Sequence, residues 1–283
     1  MSSQSNGTSG TSWLGDPIDA RLLFGPELEA LVDTLRGLRP ADWSKTVLPR
    51  WTVHDLAAHL LGGYRGRLGR SPGGSRGAFM QGETLEAFIH RTNQEWVDLH
   101  AGDSPVSLVD ALEAAGIQLA ERCATADLEA PALGVSWAGV DPAPGWLDIA
   151  REFTEYWTHR QQLRHAIGRD TDPEPHALST VLDTFMRALP HTLRNATAPV
   201  GAQIEVIVEG PAGGRWTATA TVDRWSLGEP PSGRPTASVF LDTETAWRLC
   251  TRGIDPVTAL GLARVRGERR LAEAACQIVS IVH

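Results

Sequence analysis

The sequence is poor in cysteine, with three cysteines among 283 residues. Cys123, Cys250 and Cys276 are widely spaced, and none of them belongs to a Cys-x-x-Cys pair. An odd and scattered set of cysteines fits reduced, buried thiols better than a disulfide framework. We therefore expect a protein of the cytoplasm.

Long hydrophobic runs are missing as well. No stretch approaches the roughly 18 apolar residues that a membrane-spanning helix needs. The first residues, MSSQSNGTSGTSWLGD, contain no basic segment followed by an apolar one, which is the pattern of a secretion signal. We expect no membrane partner, and we expect residues 1–17 to form a disordered lead.

Basic residues are fewer than acidic ones, with 26 Lys and Arg against 34 Asp and Glu, and the formal net charge is −8. This balance argues against a nucleic-acid partner. The apolar fraction of 42% and the charged fraction of 21% are those of an ordinary globular protein. The length exceeds that of a typical single domain, so we expect two domains.

The first half of the chain shows apolar residues at helical spacing throughout. Thr52 and Asp55 form a capping-box pattern that predicts a helix start near Val53. Helices are predicted over residues 18–38, from 53 onward, and over 83–100, 106–126 and 146–168. A Gly-rich segment after the second helix is predicted to be a loop. Its arginines either bind an anion or stabilise the C-terminus of the helix through their positive charge; these are Arg65, Arg67, Arg70 and Arg76.

The second half of the chain changes character after DTDPEP at residues 170–175. Alternating apolar residues predict strands, and 3.6-residue spacing predicts helices on either side of them. The predicted strands are 203–209, 215–222 and 237–242, and the predicted helices are 176–193, 243–253 and 268–282. The fold class is therefore α+β, with a helical domain over 18–170 and a C-terminal α/β domain over 176–283.

Three residues are candidate metal ligands. Glu155 and His159 are four residues apart on one helix and project from the same face, where both can meet one ion. His59 lies on the second predicted helix, between leucines. Two imidazoles and a carboxylate suit an open zinc site. From the residues alone, a solvated Glu/His pair and a packed histidine explain the same pattern.

Tryptophan is abundant, with ten tryptophans against two tyrosines. Four of them lie near the candidate ligands in the sequence: Trp51, Trp137, Trp146 and Trp157. They either form the wall of a cavity or pack in the core, which is the usual place of a buried indole.

The segments WTVHDLAAHL, EYWTH and WRLCTRG resemble the mycothiol-dependent maleylpyruvate isomerase family, and the resemblance covers about residues 18–283. It implies an N-terminal DinB-like four-helix bundle with a zinc site, followed by a smaller C-terminal α/β domain similar to sterol-carrier folds. It also implies zinc ligands at His59, Glu155 and His159, and a catalytic arginine at Arg252 in the CTRG segment.

The resemblance further implies zinc and mycothiol as cofactors, with a small electrophilic molecule as substrate. Three protein ligands leave a coordination position open, and zinc deprotonates a bound thiol, whose free pKa is about 8.5. The thiolate would either add to a conjugated double bond and leave again, which gives cis–trans isomerisation, or remain on the product, which gives S-transfer. The alternatives are a hydrolase that activates zinc-bound water and a non-catalytic module that binds a small molecule.

Overall fold

The structure is a computed structural model and describes residues 10–69, 79–228 and 233–281. Its backbone contacts divide the chain into two compact units. The helical unit comprises Ala20–Ala126 and Glu152–Asp172, and the mixed unit comprises Met1–Asp19, Asp127–Arg151 and Pro173–Val282. This division differs from the predicted boundaries, 18–170 and 176–283, mainly because residues 127–151 group with the C-terminal part of the chain.

The helical unit confirms the predicted succession of amphipathic helices. Its elements are α1 (Phe24–Arg36), β1 (Thr46–Leu48), β2 (Trp51–Thr52), α2 (Val53–Leu68), α3 (Leu85–Leu99), α4 (Pro105–Ala124) and α5 (Gly145–Ala166). Only the part of α5 from Glu152 onward belongs to this unit. The hairpin β1–β2 precedes α2, helix α4 packs against both α1 and α2, and α3 packs against α2.

The start of α2 is fixed by the predicted capping box. The Thr52 side chain accepts a hydrogen bond from the Asp55 amide, and Asp55 Oδ2 accepts hydrogen bonds from the Thr52 amide at 2.8 Å and from its hydroxyl at 2.7 Å. These contacts satisfy amide groups that a helix N-terminus leaves without partners. The cap therefore sets which residues of α2 turn inward, including His59 two turns later.

Close aromatic and glycine contacts hold α1, α2, α4 and α5 together as a four-helix bundle. The ring centroids of Tyr64 on α2 and Tyr156 on α5 are 4.5 Å apart, and those of Phe24 and Phe153 are 5.8 Å apart. A β-carbon at Gly116 would lie 2.3 Å from a methyl group of Leu28, so only glycine allows α4 to come this close.

Two buried ion pairs also join α5 to the other helices. Arg160 donates to Glu27 at 2.5 and 2.8 Å, with both side chains at most 4% exposed. Arg67 approaches Glu152 at 3.2 Å, and the Tyr156 hydroxyl donates to the same carboxylate. Buried charges require partners of this kind, because the low-polarity interior does not solvate them.

The mixed unit contains a five-stranded sheet with strand order β7-β6-β5-β8-β9, in which only the β5–β8 pairing is parallel. Helices α8 and α10 pack against its central strands. The elements are β3 (Pro131–Ala132), β4 (Ala143–Pro144), α6 (Pro175–Met186), α7 (Leu189–Thr192), β5 (Gln203–Glu209), β6 (Gly214–Ala220), β7 (Trp225–Gly228), β8 (Ala237–Asp242), α8 (Thr243–Cys250), α9 (Pro256–Leu262), β9 (Arg264–Gly267) and α10 (Arg269–Ala275). The α+β class is confirmed.

Several details of the second half differ from the predictions. The single helix predicted over 176–193 is broken between Met186 and Leu189, where Pro190 at the second position of α7 favours a new helix start. The helix predicted over 268–282 ends at Ala275. Strands β7 and β9 and helix α9 were not predicted, because they are short and carry few apolar residues in regular spacing.

Two predictions for irregular segments also need correction. Residues 1–9 of the predicted disordered lead lie outside the described residues, but Ser12–Leu14 form a 3₁₀ turn and Leu14 is fully buried, which requires order there. The predicted arginine-rich loop begins later than expected, because α2 continues to Leu68 and holds Arg65 and Arg67. Arg70 and Arg76 lie outside the described residues.

Candidate metal centre

Three ligand-type side chains meet in the helical unit: His59 of α2 and Glu155 and His159 of α5. Glu155 Oε1 lies 3.3 Å from His59 Nε2 and 3.1 Å from His159 Nε2, and one ligand atom from each residue lies within 4.8 Å of the others. Among the described residues, no other group of three such side chains comes this close together. The structure therefore brings together the three predicted ligands.

Each ligand owes its position to a regular element. Glu155 and His159 are one helical turn apart on α5, so their side chains lie one above the other. His59 is buried on the face that α2 turns toward the bundle, and its ring centroid lies 4.9 Å from that of His159, with the rings nearly perpendicular. The helix spacing thus accounts for the Glu155/His159 pair, and the packing of α2 in the bundle brings His59 to it.

Gln162 fixes the orientation of one of the imidazoles. Its Oε1 lies 2.7 Å from His159 Nδ1, an arrangement in which the ring N–H donates to the amide oxygen. The other ring nitrogen, Nε2, then keeps its lone pair for a metal and faces Glu155. Gln162 lies three residues after His159 on α5, but its contact with His159 depends on side-chain rotamers, which sequence spacing does not determine.

The electrostatics of the cluster favour an ionised carboxylate. Desolvation raises the pKa of the Glu155 carboxyl, but the charge and hydrogen bonds of His159 and His59 outweigh this effect and hold the pKa well below its usual value. The Glu155 side chain remains 45% exposed, so direct contact with the imidazoles matters more than burial. For His159, burial lowers the pKa, but the Glu155 carboxylate raises it more strongly, and the net shift is upward.

An indole borders the cluster on the side of His59. The ring centroid of Trp51 lies 4.8 Å from that of His59, and Trp51 Nε1 donates to Gln94 Oε1 at 3.0 Å. Of the four tryptophans named from the sequence, Trp51 thus contacts a candidate ligand. Gln94 escaped sequence reasoning, because 43 residues separate it from Trp51.

Asp55 does not orient His59. Both of its recorded hydrogen bonds as an acceptor fall on Thr52, and no contact between Asp55 and His59 is recorded in the described chain. The carboxylate is fully accounted for by the helix cap.

Arg252, the predicted catalytic arginine, lies in the mixed unit, directly after α8. Its backbone has a φ of 58°, in the left-handed region that is uncommon for residues other than glycine. Nη2 donates to the carbonyl oxygen of Gln277 at 2.9 Å, whereas Nη1 is buried without a hydrogen-bond partner. A buried donor without an acceptor is costly, and a ligand can supply the acceptor.

The donor set of the cluster fits zinc. Zinc binds imidazole nitrogen and carboxylate oxygen at about 2.0–2.2 Å, so two ligand atoms at a tetrahedral angle lie about 3.3 Å apart. The two distances from Glu155 Oε1 to the imidazole nitrogens, 3.3 and 3.1 Å, match this value. The cluster offers three candidate protein ligands, which is the number found in open, catalytic zinc sites.

The fold and the cluster together define a two-unit α+β protein with a candidate metal centre on its helical bundle. Residues 24–164 match the family model described as "Mycothiol maleylpyruvate isomerase N-terminal domain". This match covers all three candidate ligands. Residues 24–164 therefore form a domain of the mycothiol maleylpyruvate isomerase family.

Two solved structures of the mycothiol-dependent maleylpyruvate isomerase resemble the chain. A histidine-to-alanine mutant of that enzyme is 15% identical, with a TM-score of 0.50, and the match covers 84% of this chain and 90% of that one. The unmutated enzyme is 16% identical over the same shares, with a TM-score of 0.49. At such low identity, the similarity to the mutant structure supports the fold alone.

A sterol carrier protein domain 2 from Helicoverpa armigera also matches, with 21% identity and a TM-score of 0.28, over 40% of this chain and all of that domain. The likeness is too weak to support an argument. The comparison with curated proteins finds no match. Among the described residues, no helix combines the length and the apolar character required to cross a lipid bilayer.

Proposed function

We propose that this protein binds one zinc ion through His59, Glu155 and His159 and uses it to activate a low-molecular-weight thiol, mycothiol, toward a small electrophilic substrate. The observation that carries this proposal is the meeting of two imidazoles and a carboxylate at distances suited to zinc. Membership of the mycothiol maleylpyruvate isomerase family supports the choice of thiol.

The charges of the three ligands favour an anionic fourth ligand. Two neutral imidazoles and one carboxylate cancel only one of the two positive charges of a zinc ion. When bound, the zinc would lower the pKa of a thiol at its open position and so supply a thiolate at neutral pH. The exposed fraction of Glu155, 45%, indicates that the cluster is accessible from solvent on this side.

Each residue of the cluster has a role in holding the metal. His59 is buried and packed against Trp51, so its ring has little freedom to turn away. The hydrogen bond from His159 Nδ1 to Gln162 selects the tautomer that offers Nε2. Glu155 stays ionised because its pKa is lowered, and it contributes the one negative charge among the ligands.

The family description favours isomerisation of a conjugated double bond. Such a reaction forms a sulfur–carbon bond at one alkene carbon, allows rotation about the resulting single bond, and then expels the same thiolate, so the composition of the substrate is unchanged. S-transfer differs in the last step only, because the carbanion takes a proton from water instead of expelling the thiolate, and the sulfur remains on the product. Both reactions place negative charge on the acceptor part of the substrate.

Arg252 is the residue that we propose to stabilise this negative charge. Its Nη1 is buried without a partner, and its Nη2 is anchored on the Gln277 carbonyl oxygen, so the guanidinium is held while keeping a donor available. A positioned donor of this kind stabilises an oxyanion in the transition state. We expect Arg252→Ala to abolish turnover with zinc content intact; unchanged kinetics would remove Arg252 from the reaction.

The decisive experiment measures zinc content and mycothiol binding in the wild type, in His59→Ala and in the control His54→Ala. His54 lies on the same helix, but its Nε2 contacts the Asp103 carbonyl oxygen at 2.9 Å and not the cluster. We expect one zinc per chain and thiol binding in the wild type and the control, and loss of both in His59→Ala. Zinc retention in His59→Ala would contradict the assignment.

Activity assays then separate the reaction classes. Cis–trans isomerisation of maleylpyruvate should require both zinc and mycothiol. A sulfur conjugate that accumulates one-for-one with consumed thiol would indicate S-transfer, and hydrolysis without any thiol would contradict the proposal. We also propose that the protein works in the cytoplasm, supported by its three buried cysteines, which form no disulfide in the described part of the chain.

A further inference from the structure

The sheet of the mixed unit has two faces of opposite character. On β5, Val206 and Val208 turn toward α8 and α10, whereas Glu205 and Ile207 point to the other side, because successive side chains of a strand alternate. On β8, Val239 and Leu241 likewise belong to the helix side and Ser238 and Phe240 to the other, which we call the open face.

The strand register arranges the open face into two rows. Residues paired across neighbouring strands lie side by side on one face. The first row contains Thr217, Glu205, Ser238 and Arg266, and the second contains Arg215, Ile207, Phe240 and Arg264. Arginines therefore flank the open face on β6 and β9, with apolar and hydroxyl side chains between them.

A pocket of about 510 Å³ lies over these rows. Its lining includes three arginines, Arg215, Arg234 and Arg266, but only one carboxylate, Glu205. Its volume falls within the range of about 300–1,000 Å³ that small-molecule sites occupy. In a chain with a net charge of −8, a concave surface with this excess of arginine stands apart from the rest.

The arginines of the pocket differ in their partners. Arg215 is ion-paired with Glu205 at 2.5 Å, and this carboxylate is 4% exposed. Arg266 is recorded only over the ring of Phe240, with its guanidinium carbon 5.0 Å from the ring centroid. In the described part of the chain, neither Arg234 nor Arg266 has a carboxylate partner. Two cationic groups thus remain available to an anionic ligand.

The floor between the arginines is partly apolar. Ile207 and Phe240 lie side by side in the second row, and Ser238 offers a buried hydroxyl in the first. A guanidinium binds phosphate or carboxylate oxygens through two parallel N–H donors, and its charge strengthens each hydrogen bond. Two unpaired arginines beside an apolar strip match a ligand with two negative charges and an apolar body.

We propose that the open-face pocket binds a small organic dianion, either a phosphate monoester or a dicarboxylate, with its charged oxygens on Arg234 and Arg266 and its apolar part against Ile207 and Phe240. All of its lining residues belong to the mixed unit, and none of them is a member of the metal cluster. It uses none of the residues that hold the metal or that we assign to turnover.

Calorimetric titration of the full-length protein with phenyl phosphate, succinate and inorganic phosphate tests the proposal. We expect phenyl phosphate or succinate to bind with a dissociation constant below about 1 mM at low salt, and the tighter of the two identifies the dianion. Raising the salt should weaken binding, since screening acts on exposed charges. No binding of either organic dianion at 10 mM would overturn the proposal.

Matched variants show whether the pocket is responsible. Arg266→Ala and Arg234→Ala should each weaken binding about 10-fold, because a charge-assisted hydrogen bond contributes about 1.5 kcal/mol or more. Arg269→Ala is the control, since Arg269 is exposed and pairs with Glu273 outside the pocket. Equal weakening in the control would overturn the proposal.

A further variant tests the apolar floor. Phe240→Leu should weaken the binding of phenyl phosphate more than that of inorganic phosphate, because only the former has an apolar body. Binding of a polyanion such as heparin without binding of either small dianion would overturn the proposal, since it would indicate a general cationic surface. Zinc content should remain one per chain in all these variants, so the outcome does not depend on the metal assignment.

Discussion

At the scale of single residues, the candidate metal site combines one carboxylate with two imidazoles. Glu155 Oε1 lies within 3.3 Å of both imidazole nitrogens, so this one atom contacts both other ligands. The carboxylate therefore has two roles in the metal-free protein, because it holds the imidazoles in place and keeps a negative charge ready for a cation. Removing this carboxylate should therefore lower the zinc affinity more than removing a residue that contacts only one of the candidate ligands.

The first prediction concerns this carboxylate. Glu155→Gln keeps the size of the side chain but removes the negative charge, and we expect zinc affinity to fall by more than about 100-fold, beyond the 10–100-fold usual for residues outside the ligand set. Competition with a chromogenic chelator measures the affinity. Glu121→Gln, an exposed glutamate of α4, is the control. A loss below 10-fold would mean that Glu155 is not a ligand.

The second prediction concerns Gln162, which contacts His159 but is not one of the three candidate ligands. Gln162→Leu removes the acceptor for Nδ1–H, and we expect zinc affinity to fall by about 10-fold or more. Gln162→Glu retains an acceptor and should restore most of the affinity. A merely structural role for Gln162 would lower the free energy of unfolding equally in both variants and leave the zinc affinity of folded protein unchanged.

The third prediction is a pH dependence. A histidine must be neutral to bind zinc, and the pKa of His159 is raised by Glu155, so protons begin to compete above the ordinary histidine pKa of about 6.5. We expect zinc affinity to be constant at high pH and to fall as the pH drops through this raised pKa. The Glu155 carboxylate, with its lowered pKa, adds no competition in that range. Affinity that rises on acidification would contradict the ligand set.

At the scale of secondary-structure elements, buried charge pairs define how α5 attaches to α1. Arg160 is 3% exposed and depends on Glu27 for two of its hydrogen bonds. We expect Glu27→Ala to lower the free energy of unfolding by about 3 kcal/mol, because it leaves a guanidinium in the interior with only Asp172 as an ionic partner. Urea denaturation measures the change, and exposed Glu29→Ala should change it by less than about 0.5 kcal/mol.

The capping box of α2 supports a fifth prediction, of a smaller effect. Thr52→Ala removes a hydroxyl that caps the helix, and we expect a loss of about 1 kcal/mol in the free energy of unfolding. Thr197→Ala, an exposed loop threonine, serves as the matched control. Equal stability of the two variants would show that the cap contributes nothing measurable.

The same elements show what the sequence reveals and what it does not. The start of α2 was predictable, because a cap is a local pattern, and so were β5 and β8, whose apolar residues are dense. Strand β9 reads Arg-Val-Arg-Gly and has one apolar side chain, so only its pairing with β8 reveals it. Likewise, spacing placed Glu155 and His159 on one face, but bringing His59 to them required tertiary packing.

At the scale of the whole molecule, the two compact units carry separate candidate sites. The metal cluster lies in the helical unit, and the open-face pocket lies in the mixed unit. We expect zinc to slow amide hydrogen exchange in α2 and in the part of α5 from Glu152 onward, and phenyl phosphate to slow it in β8 and β9. Mass spectrometry of peptides resolves the two regions, and exchange that slows in the wrong unit would contradict the site concerned.

The alternation along β5 and β8 has a consequence for how this protein can diverge. Neighbouring positions of the same strand face opposite sides of the sheet and are therefore constrained differently. Val206 and Val239 pack under the helices, whereas Ile207 and Ser238 lie on the open face. Substitutions confined to the second set can alter ligand preference while the hydrophobic interior stays as it is. If the open face binds the proposed dianion, exposed positions such as Arg234 and Arg266 can change its specificity while the packing under the helices is kept.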